Sequence, residues 1–335
     1  MQRVLLVLAA AVALWAAWWP LAAWRSVSAT EGWLEARRDA GWQAEWADVG
    51  IRGFPLSYIR TIVAPEIADP GTGWAWRAPE LTLARARHPE LGQPGLVVQF
   101  PPEQEVRTPE QRLTVTGGML QAEMRLDGPE ARLRGATLTA QALGATSDAG
   151  WRASLAAGRL TALASEAAPE VMTVTLSAEG LALPSETAER LRRADLAPGT
   201  IERLQGEAEV TFDRAWDIAA LEETRPQPRR IVVKDAALRW GALDLRVAGT
   251  LDVEEGGLAD GELLVKATNW REILAAARAT GTLPERVADA AEGALELVWR
   301  LAGSPRTLDI PLVFRDGRTR LGPVSVGPAP SLALP

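Results

Sequence analysis

The sequence predicts a mainly β protein: a long, curved antiparallel sheet shaped as a groove, open barrel or sandwich, with a few short helices, behind one N-terminal transmembrane helix. Three observations carry this. Val4 to Trp24 holds no charged residue between Arg3 and Arg25. From Trp42 onward apolar and polar residues alternate with a period of two over runs of roughly ten residues. Clusters of Gly, Pro, Asp and Ser separate those runs, and helical periodicity is confined to a few places.

About 20 apolar positions match the hydrocarbon thickness of a bilayer. Trp15, Trp18, Trp19 and Trp24 gather toward the end of this run, as aromatic residues do at a membrane–water interface. A secretory signal has a shorter apolar region, although Val27-Ser28-Ala29 offers a cleavage site. Residues 1–26 are therefore read as a retained membrane anchor, with an uncleaved signal as the alternative. No second long apolar run follows, so the rest lies on one side. The expected location is the inner membrane, single pass, with the bulk of the chain in the periplasm.

Residues 27–41 form a juxtamembrane helix in this reading, with Thr30 as its cap, Arg37 and Arg38 in its last turn and Gly41 as its stop. Trp33 and Leu34 would face the core or lipid. Residues 42–335 make the β-rich periplasmic domain, with a division into two halves near 184–200 left open. Gly53-Phe54-Pro55 bends the chain between two strands. Met119 to Leu126 alternates cleanly, and Asp127-Gly128-Pro129 turns it. In Val171 to Leu183, Met172, Val174, Leu176 and Ala178 oppose Thr173, Thr175, Ser177 and Glu179. Ser185 is expected to cap a helix through about Ala194. In Leu243 to Val253 the alternation marks a strand with one wet face. Helices are expected at Trp270 to Thr280 and Pro284 to Ala291, and strands at Ala294 to Leu301, Leu308 to Arg315 and Thr319 to Val326.

Composition excludes several classes of chemistry. With no cysteine there is no disulfide, zinc–thiolate site or thiol nucleophile. A net charge of −7, from 36 basic and 43 acidic residues, argues against nucleic acid as a partner. Asn269 is the sole asparagine, and no glycosylation sequon exists. His88 is the one histidine, and no Gly-x-Ser-x-Gly supplies a nucleophile for it to activate. Asp252, Glu254 and Glu255 precede Gly256-Gly257 and read as a solvated hairpin end, not a calcium loop. No enzyme activity, metal or cofactor is expected.

Trp46 to Pro55, the Trp-Arg-Ala-Pro of Trp76 to Pro79, and Asp316-Gly317 with Leu321 to Pro328 resemble the alphaproteobacterial family called domain of unknown function 2125. The ending also resembles AsmA-like envelope proteins, in which an N-terminal membrane helix precedes a β groove thought to carry lipid. That likeness is at fold level and implies a hypothesis, not an activity.

The expectation is thus an anchored envelope protein whose apolar β groove binds or transfers a phospholipid or another amphiphile. Phe54, Trp74, Trp76, Trp240 and Trp299 are the candidate lining residues, each with a core role as the plainer reading. Trp270 is left open between the two. The rival expectation is a structural or assembly protein that recruits an envelope partner along an exposed strand edge.

Overall fold

The computed structural model describes residues 24–334, apart from 54–57, 88–93, 129–130, 195, 197, 218, 221–223, 280, 282–284, 302–306 and 322–323. The chain is mainly β, and every registered strand pair is antiparallel. It divides into two compact units: residues 1–123 with 145–150, and residues 124–144 with 151–335. Among the described residues no helix is long and apolar enough to cross a membrane. The expected anchor, with Trp15, Trp18 and Trp19, lies outside the described residues.

Unit 1 is built from strands that fold across a corner. One ladder runs β2 (Asp48–Arg52), β3 (Ile59–Val63), β6 (Glu80–Arg87), β7 (Pro94–Phe100). The other runs β1 (Gln43–Glu45), β4 (Glu66–Asp69), β5 (Trp74–Arg77), β8 (Glu103–Arg107), β9 (Arg112–Thr116). Each chain segment crosses from one ladder to the other at a break: Trp46-Ala47, Ala64-Pro65, Ala78-Pro79 and Pro101-Pro102. Proline has no amide proton for a ladder bond, so the strand must end or bend there. The corner is itself stitched by backbone bonds, Ala64 N–H to Pro79 O at 2.8 Å and Ala78 N–H to Pro65 O at 3.1 Å.

Residues 24–39 form helix α1, so the helix is already formed upstream of Thr30, its expected cap. Thr30 is therefore inside the helix and caps nothing; its hydroxyl donates back to Ser26 O at 2.9 Å. Gly41, at φ +90°, does end the helical segment. Val27, Thr30, Leu34 and Arg37 make the inward stripe at three- and four-residue spacing. Leu34, 1% exposed, packs with Val49 and Ile62 against Trp46, Ile67, Leu81 and Leu83. Trp33 is 46% exposed, with the Arg37 guanidinium 5.7 Å from its ring. Leu34→Ala is expected to destabilise unit 1 by about 3 kcal/mol, the usual result of emptying a full leucine site. Denaturant unfolding checks this, and a loss under about 1 kcal/mol would mean that α1 is peripheral to the core.

In sequence, β10 (Met119–Asp127) and β11 (Arg132–Ser147) each contribute residues to both units. Unit 2 is a meander. Strands β12 (Arg152–Ala164), β13 (Val171–Ala182), β14 (Thr200–Phe212), β15 (Pro228–Trp240), β16 (Leu243–Val253), β17 (Ala259–Thr268), β18 (Thr307–Arg315), β19 (Arg318–Leu321) and β20 (Val324–Pro328) each pair with the next. Helix α2 (Ser185–Arg193) links β13 to β14. Its cap position is Pro184, without a side-chain cap bond. Ser185 instead accepts the Arg152 N–H at 3.4 Å.

Helices α3 (Trp270–Ala279) and α4 (Glu285–Leu301) are inserted between neighbouring strands β17 and β18. Residues 294–301 are helical, not the expected strand. Leu295, Leu297 and Trp299 alternate over this short stretch, but Ala288, Ala291, Leu295 and Val298 form a longer stripe at helical spacing. That stripe packs on the sheet with Trp270, Leu274, Leu308 and Ile310, leaving Leu297 58% exposed. Asn269, at φ +59°, begins α3 and anchors it by donating from Nδ2 to Ala242 O at 2.8 Å.

Candidate functional site

The register in unit 2 aligns one apolar face across the meander. Ala162, Val174, Ala208, Val233 and Leu263 fall in one cross-strand row with Gly249; Leu160, Leu176, Ala236 and Val247 fall in the next with Gly206. The opposite face is polar, with Arg203–Glu179 at 3.0 Å, Lys234–Glu207 at 3.0 Å and Arg230–Asp252 at 2.9 Å. These pairs are exposed and individually add little stability, but they fix which face is wet.

Two parts of the apolar face are covered. At one end α3 and α4 lie over Ala267, Leu308 and Ile310, and Trp270 is 3% exposed there. At the other end the C-terminal segment lies over Leu251, Ala259 and Phe314 through Ala329 and Leu332. That segment is tied by Leu332 N–H to Gly257 O at 2.7 Å and by Gln227, whose amide bonds both the N–H and C=O of Leu334. Beside these covered strands, on β12 to β15 of the same face, Val174, Leu176, Ala208, Val233 and Ala236 are half-exposed and Leu160 is 41% exposed. Four strands make this strip about 15 Å wide.

The tryptophans predicted from the sequence fall in both units. Trp74, on β5 of unit 1, is 54% exposed. Trp76 is half-buried; its indole donates to Gln104 Oε1 at 2.7 Å, and Phe100 meets it edge-on at 6.0 Å. Trp240, on the apolar face of unit 2, donates to Pro198 O at 2.6 Å. Trp299 packs at the α3–α4 cluster, with the Arg271 guanidinium 4.2 Å from its ring. Trp24 is 65% exposed in α1. Phe54 and His88 lie outside the described residues. The half-exposed aliphatic strip was visible in the alternation, yet only the register shows which strands share it.

Unit 1 has a second feature, an open cleft of about 410 Å³ at its strand corner, lined by Pro65, Glu66, Arg77, Glu103, Gln104 and Glu105 among others. Glu105 accepts from Arg77 and from Arg107, each at 2.7 Å, and lies 3.4 Å from Arg112. Partial burial acts to raise the Glu105 pKa, but hydrogen bonds from Arg77 and Arg107 outweigh it and hold the carboxyl below its ordinary value. A depressed folded pKa stabilises the fold above the unfolded carboxylate pKa of about 4.3, and that contribution is lost as pH falls through the folded value. Glu105→Gln is expected to destabilise unit 1 by about 1 kcal/mol at neutral pH, by leaving three guanidiniums without their carboxylate. The gap between variant and wild type should close below about pH 4. A gap independent of pH would assign the effect to packing.

Among the described residues no group of three or more His, Cys, Asp or Glu is placed to hold a metal ion. Asp252 pairs with Arg230, and Glu254 and Gly257 close the turn to β17 by a 2.8 Å backbone bond. A family model described as "Uncharacterized protein conserved in bacteria (DUF2125)" matches residues 19–330. No curated protein and no solved structure matches the chain.

Proposed function

Given that this chain belongs to the bacterial family DUF2125, we propose that it is an inner-membrane-anchored periplasmic protein that binds or transfers a phospholipid or similar amphiphile on the apolar face of unit 2. One observation carries the reading: an apolar strip, half-exposed on four adjacent strands, beside strands of the same face that the chain itself covers. A sheet closed by a second layer buries such a row, and an apolar strip left accessible marks a ligand or partner surface. The strip is aliphatic and smooth, with Gly206 and small alanines among longer side chains, and it offers no charged group. That chemistry suits an acyl chain better than a polar substrate.

The apolar run at Val4 to Trp24, followed by α1 with its exposed Trp24, supports attachment to a membrane that could supply the ligand. The reading assigns no catalytic step to the chain. Native mass spectrometry of the protein purified in amphipol, with organic extraction, tests it. A co-purifying amphiphile in stoichiometric amount supports it. A chain that is empty and stays empty after incubation with phospholipid vesicles rejects it.

A further inference from the structure

We infer that unit 1 holds a binding site for a phosphate-type oxyanion at Arg60 and Arg85, and that its occupant is the headgroup phosphate of an anionic phospholipid. In the β3–β6 register Ile62 faces Leu81 and Arg60 faces Leu83, so Arg85 lies diagonally beside Arg60 on the same side of the ladder. This is the side on which α1 packs through Leu34. The other cross-strand neighbours there are apolar: Ile51 opposite Arg60 and Leu96 opposite Arg85.

Arg60 is half-buried and donates to Thr30 Oγ1 of α1 at 3.0 Å, which orients its guanidinium. Among the described residues neither arginine is paired with a carboxylate. Burial, and then the charge of Arg85, lower the Arg60 pKa, the sign of a cation in want of a counter-charge. Diagonal like charges on one sheet face repel, and two planar guanidiniums in an apolar setting match the geometry of a phosphate.

The depth of the site favours a lipid as the source. Thr30 follows Trp24 by six residues, about 9 Å of helix rise. If the hydrocarbon core ends near Trp24, as the anchored reading has it, a headgroup layer of about 5–8 Å reaches toward Arg60. The inference rests on that anchored reading, but not on ligand binding by unit 2.

The test uses the full chain in non-ionic detergent micelles, following its thermal midpoint as phosphatidylglycerol, phosphatidylcholine or inorganic phosphate is added. Phosphatidylglycerol is expected to raise the midpoint by several degrees, phosphatidylcholine and equal inorganic phosphate to leave it unchanged. Arg85→Gln, at an exposed position, should keep the unliganded midpoint and weaken the response at least tenfold; Arg60→Lys should weaken it while retaining the positive charge. An equal response to inorganic phosphate would overturn the headgroup assignment. No response, or an undiminished response in Arg85→Gln, would overturn the site. A fluorescent fatty acid added in parallel separates the two proposals, because Arg85→Gln leaves its uptake by unit 2 intact. Failure of that uptake alongside a normal phosphatidylglycerol response would reject the acyl groove and leave this site standing.

Discussion

Gly249→Ala is expected to unfold unit 2, with Gly261→Ala close behind. Both glycines lie on the apolar face in the β16–β17 pair, at φ +149° and +138°, where an L side chain is strained. A Cβ at Gly249 would lie 2.2 Å from Glu262 O, and one at Gly261 would lie 2.3 Å from Thr250 O. Both obstacles are backbone carbonyls, so no rotamer change relieves them. The ladder must open at the centre of the sheet, which we expect to remove more than about 3 kcal/mol in either variant. Gly293→Ala is the control: its Cβ would meet nothing within 4 Å, and it sits within α4, so it should be neutral or mildly stabilising. Far-ultraviolet circular dichroism through a denaturant series reads all three. Native-like stability of Gly249→Ala would mean that β16 and β17 are not packed at this register.

Leu176→Asp should abolish amphiphile binding, weakening it more than tenfold, while unit 2 stays folded. Leu176 sits in the cross-strand row with Leu160 and Gly206, and its half-exposed side chain leaves a carboxylate able to reach water. The predicted stability loss is therefore only about 1–2 kcal/mol. An acyl chain on the strip would meet that carboxylate with nothing to neutralise it. Ser177→Asp, on the polar face one residue away and opposite Arg159 and Gln205, should change neither property. Titration with a fluorescent fatty acid distinguishes the two variants, and equal binding by both would place the ligand elsewhere.

The long alternating strands of unit 2 were legible because their pattern has one meaning. Leu243 to Val253 is a strand in the sequence and in the structure, as is Val171 to about Ala182. Helix α2 was legible from Pro184 onward, although the Ser185 hydroxyl accepts the Arg152 N–H instead of capping. Residues 294–301 misled because eight residues with alternating leucines satisfy both periods, and only contact with the sheet selects the helix. The corner of unit 1 was half legible. Pro65, Pro79 and Pro101-Pro102 announce breaks, but nothing local says that each broken strand rejoins a second ladder in the same order. Trp76 to Pro79, one of the segments on which the family resemblance rests in the sequence, lies at such a corner. The Arg60–Arg85 pair was invisible for the same reason: 25 residues separate the two, and only the β3–β6 register joins them.

The central claim is that acyl chains occupy the uncovered apolar strip on β12 to β15 of unit 2. Photocrosslinking in growing bacteria fed a diazirine-bearing fatty acid, followed by peptide mapping of the full chain, tests it most directly. The account predicts adducts on peptides containing Leu160, Val174, Leu176, Ala208 and Val233, absent from peptides of the polar face. Adducts confined to the N-terminal apolar segment, with none on β12 to β15, would contradict it.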